Sequence, residues 1–218
     1  MNFFLSEIHR QARESAIIRM ATQAREEGWI DPGKYTDPTG HTSIADYKSD
    51  PEWALRASQI LVGRNLTRHN VNSWVRGKKG FDSSLPMQGE RLICLRNDHE
   101  LGVLNGGFFE SLQDAEGCDE IGRSLLHIKS LDFTDRDPLS VIAHNVLFGG
   151  DKEQLKPWEW NEAQCFDYGY AITTHKAQGS QFEHVMINAE WPNKDSWKNW
   201  LYTATTRAQY SQYVVLPH

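Results

Sequence analysis

The sequence predicts an α/β protein: a parallel sheet of short apolar strands with amphipathic helices, interrupted by a β-rich insertion that reads as a small barrel. Three observations carry this. SQILVG, residues 58–63, has the length and composition of a buried strand and runs at once into a polar turn and a helix. From Gly89 to about Gly150 the pattern changes to short alternating strands separated by turn residues. The last third returns to strand, helix, strand. The expected division is a discontinuous α/β domain over 1–86 and 160–218, with the barrel over 87–159.

Taken in order, Ser15 can cap a helix in which Ile17, Met20, Ala21 and Ala24 fall on one face, and Gly28 sits where a left-handed glycine would end it. GWIDPGKY, residues 28–35, imitates the G-x-x-x-x-G-K frame of a nucleotide-phosphate loop. It follows a helix rather than a strand, however, and Tyr35 stands where a Ser or Thr should hold Mg²⁺. Trp29, Asp31 and Pro32 are equally unsuited to an anion-binding nest, so Asp31-Pro32-Gly33 is ordinary turn chemistry. Asp31 to Pro51 reads as an extended loop. After SQILVG, the helix over RNLTRHNVNSWVRGKK puts Val71, Trp74 and Val75 on one side, which predicts Trp74 in the core. The middle strands are ERLICLR, GVL, FFESL, LLHIKSLDF and VIAHNVLF. The closing elements are the strands YGYAITT, VMINA and YVVL, with WKNWLYTATTRAQ as the helix feeding the last of them.

Composition narrows the function classes. The net charge of −6 argues against a protein that coats nucleic acid by bulk electrostatics. A local track survives that argument, because Arg64 to Lys79 holds five Lys or Arg and no acid. Cys94, Cys118 and Cys165 are too widely spaced for a disulfide framework or a Cys-x-x-Cys metal site, and the nine histidines form no ligand-like cluster. No apolar run has the length to span a bilayer, and the charged opening MNFFLSEIHRQARE does not read as a signal peptide, so a cytoplasmic protein is expected.

Two clusters carry the chemistry. THKAQGSQF, residues 174–182, follows a strand with many hydrogen-bonding groups, placed where an open α/β sheet presents its ligands. In LYTATTRAQ, Arg207 projects from a helix among small residues. At this order and spacing, DYGYAITTHKAQGSQFEHVMI followed by WLYTATTRAQ resembles motifs V and VI of superfamily 1 helicases, most closely the RecD-like and Dda-like branch. SEIHRQARESAIIRMA resembles motif IV of that family and GRNLTRHNVNSWVR the DNA-contacting motif after it. GERLICLRNDHELGVLNGG resembles the start of the Src-homology-3-like barrel inserted in that branch.

The resemblance implies a second RecA-like motor domain, of P-loop NTPase type, that moves 5′ to 3′ along single-stranded DNA together with an N-terminal RecA-like domain. Nuclease or replication and repair partners would accompany it. Arg10 and Arg207 match arginines that reach the γ-phosphate of ATP, where a planar, permanently charged guanidinium stabilises the charge spread by phosphoryl transfer. Gln178, Gly179 and Gln181 match nucleotide-side positions; Gln181 stands where the family often has an acid, so it can accept from a ribose hydroxyl only without charge. Thr173 and His175 match positions touching DNA, and Asn65, Thr67 and Arg68 would line the same track. Neither a phosphate loop nor an acidic pair for Mg²⁺ occurs, so ATP and Mg²⁺ would be held mainly by the other domain, and the chain is expected not to hydrolyse ATP by itself. The competing expectation is a non-catalytic nucleic-acid or protein-binding module derived from such a motor.

Overall fold

The computed structural model describes residues 15–118, 120–190 and 194–217. The chain divides into two compact units, Met1–Arg68 with Ala171–His218, and His69–Tyr170.

The first unit is built on a six-stranded sheet in the order β1-β2-β12-β11-β3-β10. Its strands are β1 (Gly33–Thr36), β2 (Thr42–Asp46), β3 (Gln59–Val62), β10 (Ala171–Thr173), β11 (Phe182–Asn188) and β12 (Ala208–Val215). All neighbours pair in parallel except the β1–β2 hairpin. Strand β3 is buried at every position, as expected of an interior parallel strand with no polar face. Helix α1 (Ala16–Glu27) starts where Ser15 Oγ accepts from the Ile18 N–H. It ends at Gly28, whose φ of 71° is the left-handed conformation that glycine adopts without a Cβ penalty. Its Ile17, Met20, Ala21 and Ala24 are buried, and it packs on helix α4 (Trp197–Thr205), which buries Trp200, Leu201 and Ala204.

GWIDPGKY therefore leads out of a helix, with Lys34 on a hairpin strand. The segment from Asp31 to Pro51, read from sequence as an extended loop, instead forms that hairpin, and helix α2 (Pro51–Arg56) follows it. Its second strand is drawn into the central sheet by parallel pairing with β12. Asp37 closes the turn: its carboxylate accepts from the Thr39 hydroxyl at 2.6 Å and from the N–H groups of Thr39, His41 and Ala16. Burial would raise its pKa, but these hydrogen bonds outweigh burial and carry it down to about 2.

The second unit holds β4 (Arg91–Cys94), β5 (Phe108–Ser111), β6 (Glu116–Gly117), β7 (Arg123–Ser130), β8 (Leu139–His144) and β9 (Phe166–Tyr168). They pair antiparallel in the order β6-β7-β5-β4-β9, with β8 also on β7. Strand β7 alternates between half-buried and buried residues along its whole length, as a sheet with one inward face requires. Leu92, Phe109, Leu126, Ile128, Val141 and Phe166 form its core, where the Phe109 and Phe166 rings meet edge to face at 5.5 Å. The predicted strand YGYAITT is split: Tyr168 ends β9 in this antiparallel sheet, and Ala171 begins β10 in the parallel one.

Helix α3 (Asn65–Lys79) corrects a sequence expectation. Its buried residues are Asn72, Val75 and Arg76, whereas Trp74 is 36% exposed. Asn72 Nδ2 donates to the Tyr168 carbonyl, and the Arg76 guanidinium forms a two-pronged pair with Glu90, Nε to Oε1 at 2.7 Å and Nη2 to Oε2 at 2.8 Å. Polar residues with buried partners thus decide which face turns inward, and the tryptophan is left on the other side. Arg76 is lost to the cationic track for the same reason.

A buried histidine makes the second unit acid-sensitive. His144 is 5% exposed, and its Nε2 meets no hydrogen-bond partner among the described residues. Burial pushes its pKa below the ordinary 6.5, opposed by a hydrogen bond to the Glu159 backbone and by the charges of Glu159 and Glu162, and assisted by the charge of Arg123. Below 6.5 the unfolded chain binds a proton that the folded chain resists, so stability falls as the pH drops through that value. Denaturant melts between about pH 7 and 5 should show this loss, and His144→Gln should flatten it.

Candidate functional site

In the first unit, the parallel strands present their chemistry at two opposite edges. At the carboxyl edge, β3 gives way to Gly63 and Arg64, β10 to Thr174 and His175, and β11 to Ala189 and Glu190. Thr173 pairs with Val62, and the Thr174 N–H donates to the Val62 carbonyl, so the ends of β3 and β10 are side by side. Thr173, His175, Asn65, Thr67 and Arg68 are therefore brought to one edge. Asn65 and His175 are exposed there, while Thr173, Thr67 and Arg68 are half-buried. Arg64, which sequence reasoning placed only within a basic run, is exposed at the start of the helix.

Glu190 was not foreseen. Its carboxylate accepts from the N–H groups of Gly63 and Arg64, each at 3.3 Å, and from the Thr67 hydroxyl at 2.8 Å. A Cβ on Gly63 would collide with the Glu190 carbonyl oxygen, so glycine is needed there for close approach rather than for an unusual φ. No motif or spacing marks a lone glutamate that is distant in sequence from its partners.

At the amino edge, Gln181 and Phe182 lead into β11 and Arg207 into β12, and the Phe182 N–H donates to the Arg207 carbonyl. The Arg207 guanidinium is fixed by three bonds: Nε to the Thr203 carbonyl, Nη1 to the Ser180 carbonyl and Nη2 to the Thr206 hydroxyl, each 3.0 Å. These use three of the five N–H donors of an arginine. Gln178, Gly179 and Gln181 are exposed beside it; Gly179 has a φ of 87°, and Gln181 Oε1 accepts from Gln209 at 3.4 Å. Arg10 lies outside the described residues.

The segment from Thr174 to Gln181 connects the edges. It leaves β10 at the carboxyl end and enters β11 at the amino end, with β3 between them. It makes the crossing without a helix, as a run of turns pinned by the buried Thr174 and Ala177. The residues expected on the DNA side and those expected on the nucleotide side are thus separated by the length of β11, about 20 Å for a strand of this size, yet belong to one continuous segment.

The amino edge can meet a phosphate with a fixed guanidinium and exposed amides. Among the described residues, no group of three or more His, Cys, Asp or Glu could hold a metal ion, and GWIDPGKY forms no nest of N–H groups. No helix of the described residues is long and apolar enough to cross a membrane.

A parallel sheet with an arginine at one edge and a polar strand-to-helix turn at the other defines the class: the first unit has the fold of a RecA-like helicase motor domain. Residues 168–215 match the UvrD-like helicase C-terminal domain. The fold is similar to that of a Pif1 helicase from a study of DNA unwinding at forked duplexes, with 12% identity, 93% of this chain, 47% of that one and a TM-score of 0.54. It is also similar to Pif1 helicase from Candida albicans, with 12% identity, 92% of this chain, 53% of that one and a TM-score of 0.52. The chain spans about half the length of those proteins. An uncharacterised protein of Methanocaldococcus jannaschii is 49% identical over 58 residues, which are 26% of this chain and 5% of that protein. The family match is confined to residues 168–215, and over the rest of the chain the likeness is one of fold.

Proposed function

We propose that the chain is the C-terminal motor portion of an ATP-dependent 5′ to 3′ DNA helicase of the RecD-like branch, of the kind found as the exodeoxyribonuclease V alpha-subunit. In this reading the carboxyl edge grips single-stranded DNA through Arg64, Asn65, Arg68, Thr173 and His175, with Thr67 in the turn that supports them. Arg207, and Arg10 with it, approach the γ-phosphate of an ATP·Mg²⁺ bound mainly by an N-terminal RecA-like domain. Gln178, Gly179 and Gln181 contact the nucleotide. The antiparallel sheet of the second unit serves as the inserted Src-homology-3-like barrel, and repair or recombination as the setting.

The observation that carries this reading is the segment Thr174–Gln181, which spans both edges of the sheet within the stretch that matches a helicase domain. A connection of this kind lets a change at a phosphate reach a nucleic-acid strand, which a simple binding module does not require. Binding of fluorescein-labelled oligothymidylate, followed by anisotropy across a salt series, tests the DNA side. The double variant Arg64→Ala, Arg68→Ala should bind more weakly and with a salt slope shallower by about 0.7 per lost phosphate contact. Unchanged affinity and slope would remove the assignment of that edge.

A further inference from the structure

Glu190 places a negative charge among the groups that would hold a polyanion. Two independent constraints fix it against the same turn: its carboxylate accepts from Gly63, Arg64 and Thr67, and its backbone lies too close to Gly63 for any Cβ. The bond from Thr67 matters most. A threonine hydroxyl carries one proton, and here that proton is directed to Glu190 at 2.8 Å. A phosphate diester oxygen only accepts, so Thr67 in this state has nothing to donate to it.

We propose that Glu190 is a positioning residue for the single-stranded DNA track, one that fixes the Gly63–Arg64 turn, turns Thr67 away from the phosphates and lowers backbone affinity by its charge. The proposal rests on the carboxyl edge being the DNA face. Phosphate binding there then falls to Arg64 and Arg68, and Thr67 works as part of the support beneath them. A carboxylate beside the track also keeps the grip loose, which suits a strand that must be released at every step.

Two variants separate geometry from charge. In Glu190→Gln the amide oxygen still accepts from the Gly63 and Arg64 N–H groups, but Thr67 meets an NH₂ in place of Oε2 and the charge is gone; Glu190→Ala removes all three bonds as well as the charge. Oligothymidylate should bind Glu190→Gln about fivefold more tightly than the parent chain at low ionic strength, with the gain fading as salt rises. Hydrogen exchange at the Gly63 and Arg64 amides should quicken about fivefold in Glu190→Ala, the scale of one lost hydrogen bond, and less in Glu190→Gln. A purely structural glutamate would give no salt-dependent tightening. Unchanged exchange in Glu190→Ala, or binding by Glu190→Gln no tighter than the parent's, overturns the proposal alone. A parent chain with no affinity for oligothymidylate refutes the DNA reading of the edge and this proposal with it.

Discussion

Arg207→Ala should lower single-strand-stimulated ATP turnover by about 10³-fold once the chain is joined to a domain that carries a phosphate loop, since that is the usual worth of an arginine finger. ATP binding should change little, because the phosphates and Mg²⁺ would be gripped elsewhere. The local geometry adds a second consequence. Arg207 ties helix α4 to the loop through the Ser180 carbonyl, so the alanine variant also frees Gln178 to Gln181. Arg207→Lys separates the two effects: it keeps a positive charge but cannot reproduce the three directed bonds from Nε, Nη1 and Nη2. Turnover near the parent level in the alanine variant would sink the assignment of Arg207 as a finger.

Arg76→Ala should cost about 3–5 kcal/mol of stability, the penalty for leaving one member of a buried ion pair uncompensated. Glu90 is fully buried, and besides the two Arg76 bonds it accepts from the Met87 N–H at 2.9 Å and the Tyr170 hydroxyl at 3.4 Å. The guanidinium also donates to the Ser83 carbonyl at 2.7 Å and lies over the Tyr168 ring, 4.0 Å from its centre. Removing the arginine strands a charge that two neutral donors cannot neutralise. Arg76→Leu with Glu90→Leu should recover much of the loss, because paired replacement by apolar side chains leaves no orphaned charge. Urea melts of the single and double variants check this, and equal losses in both would show that packing, not charge, governs the site.

Sequence patterning revealed what depends on neighbours within a few residues. Helix α1 was legible from Ser15, its apolar spacing and Gly28, and β3 and β11 from their continuous apolar runs. It failed where a distant partner decides the outcome. Trp74 faces outward because Arg76 meets Glu90, fourteen residues away, and no helical period records that encounter. YGYAITT reads as one strand, yet Gly169 marks the change of sheet: its N–H donates to the Arg91 carbonyl, and a Cβ there would lie 3.1 Å from the Leu92 carbonyl carbon. At the candidate site, the clusters around Gln178 and Arg207 stood out as local groupings. Glu190 did not, because its partners lie more than a hundred residues earlier.

Most parallel crossovers take a dozen residues or more and fold them into a helix, whereas the run from Thr174 to Gln181 manages with turns alone. A helix that gains or sheds a turn changes its length by about 5.4 Å along one axis; this strut has no such regular increment. Its side chains are open to variation wherever they are exposed, but its length is not, since one inserted residue would let one end move without the other. The segment is a ruler as much as a connector, and the tolerance of any machine built on it is set there.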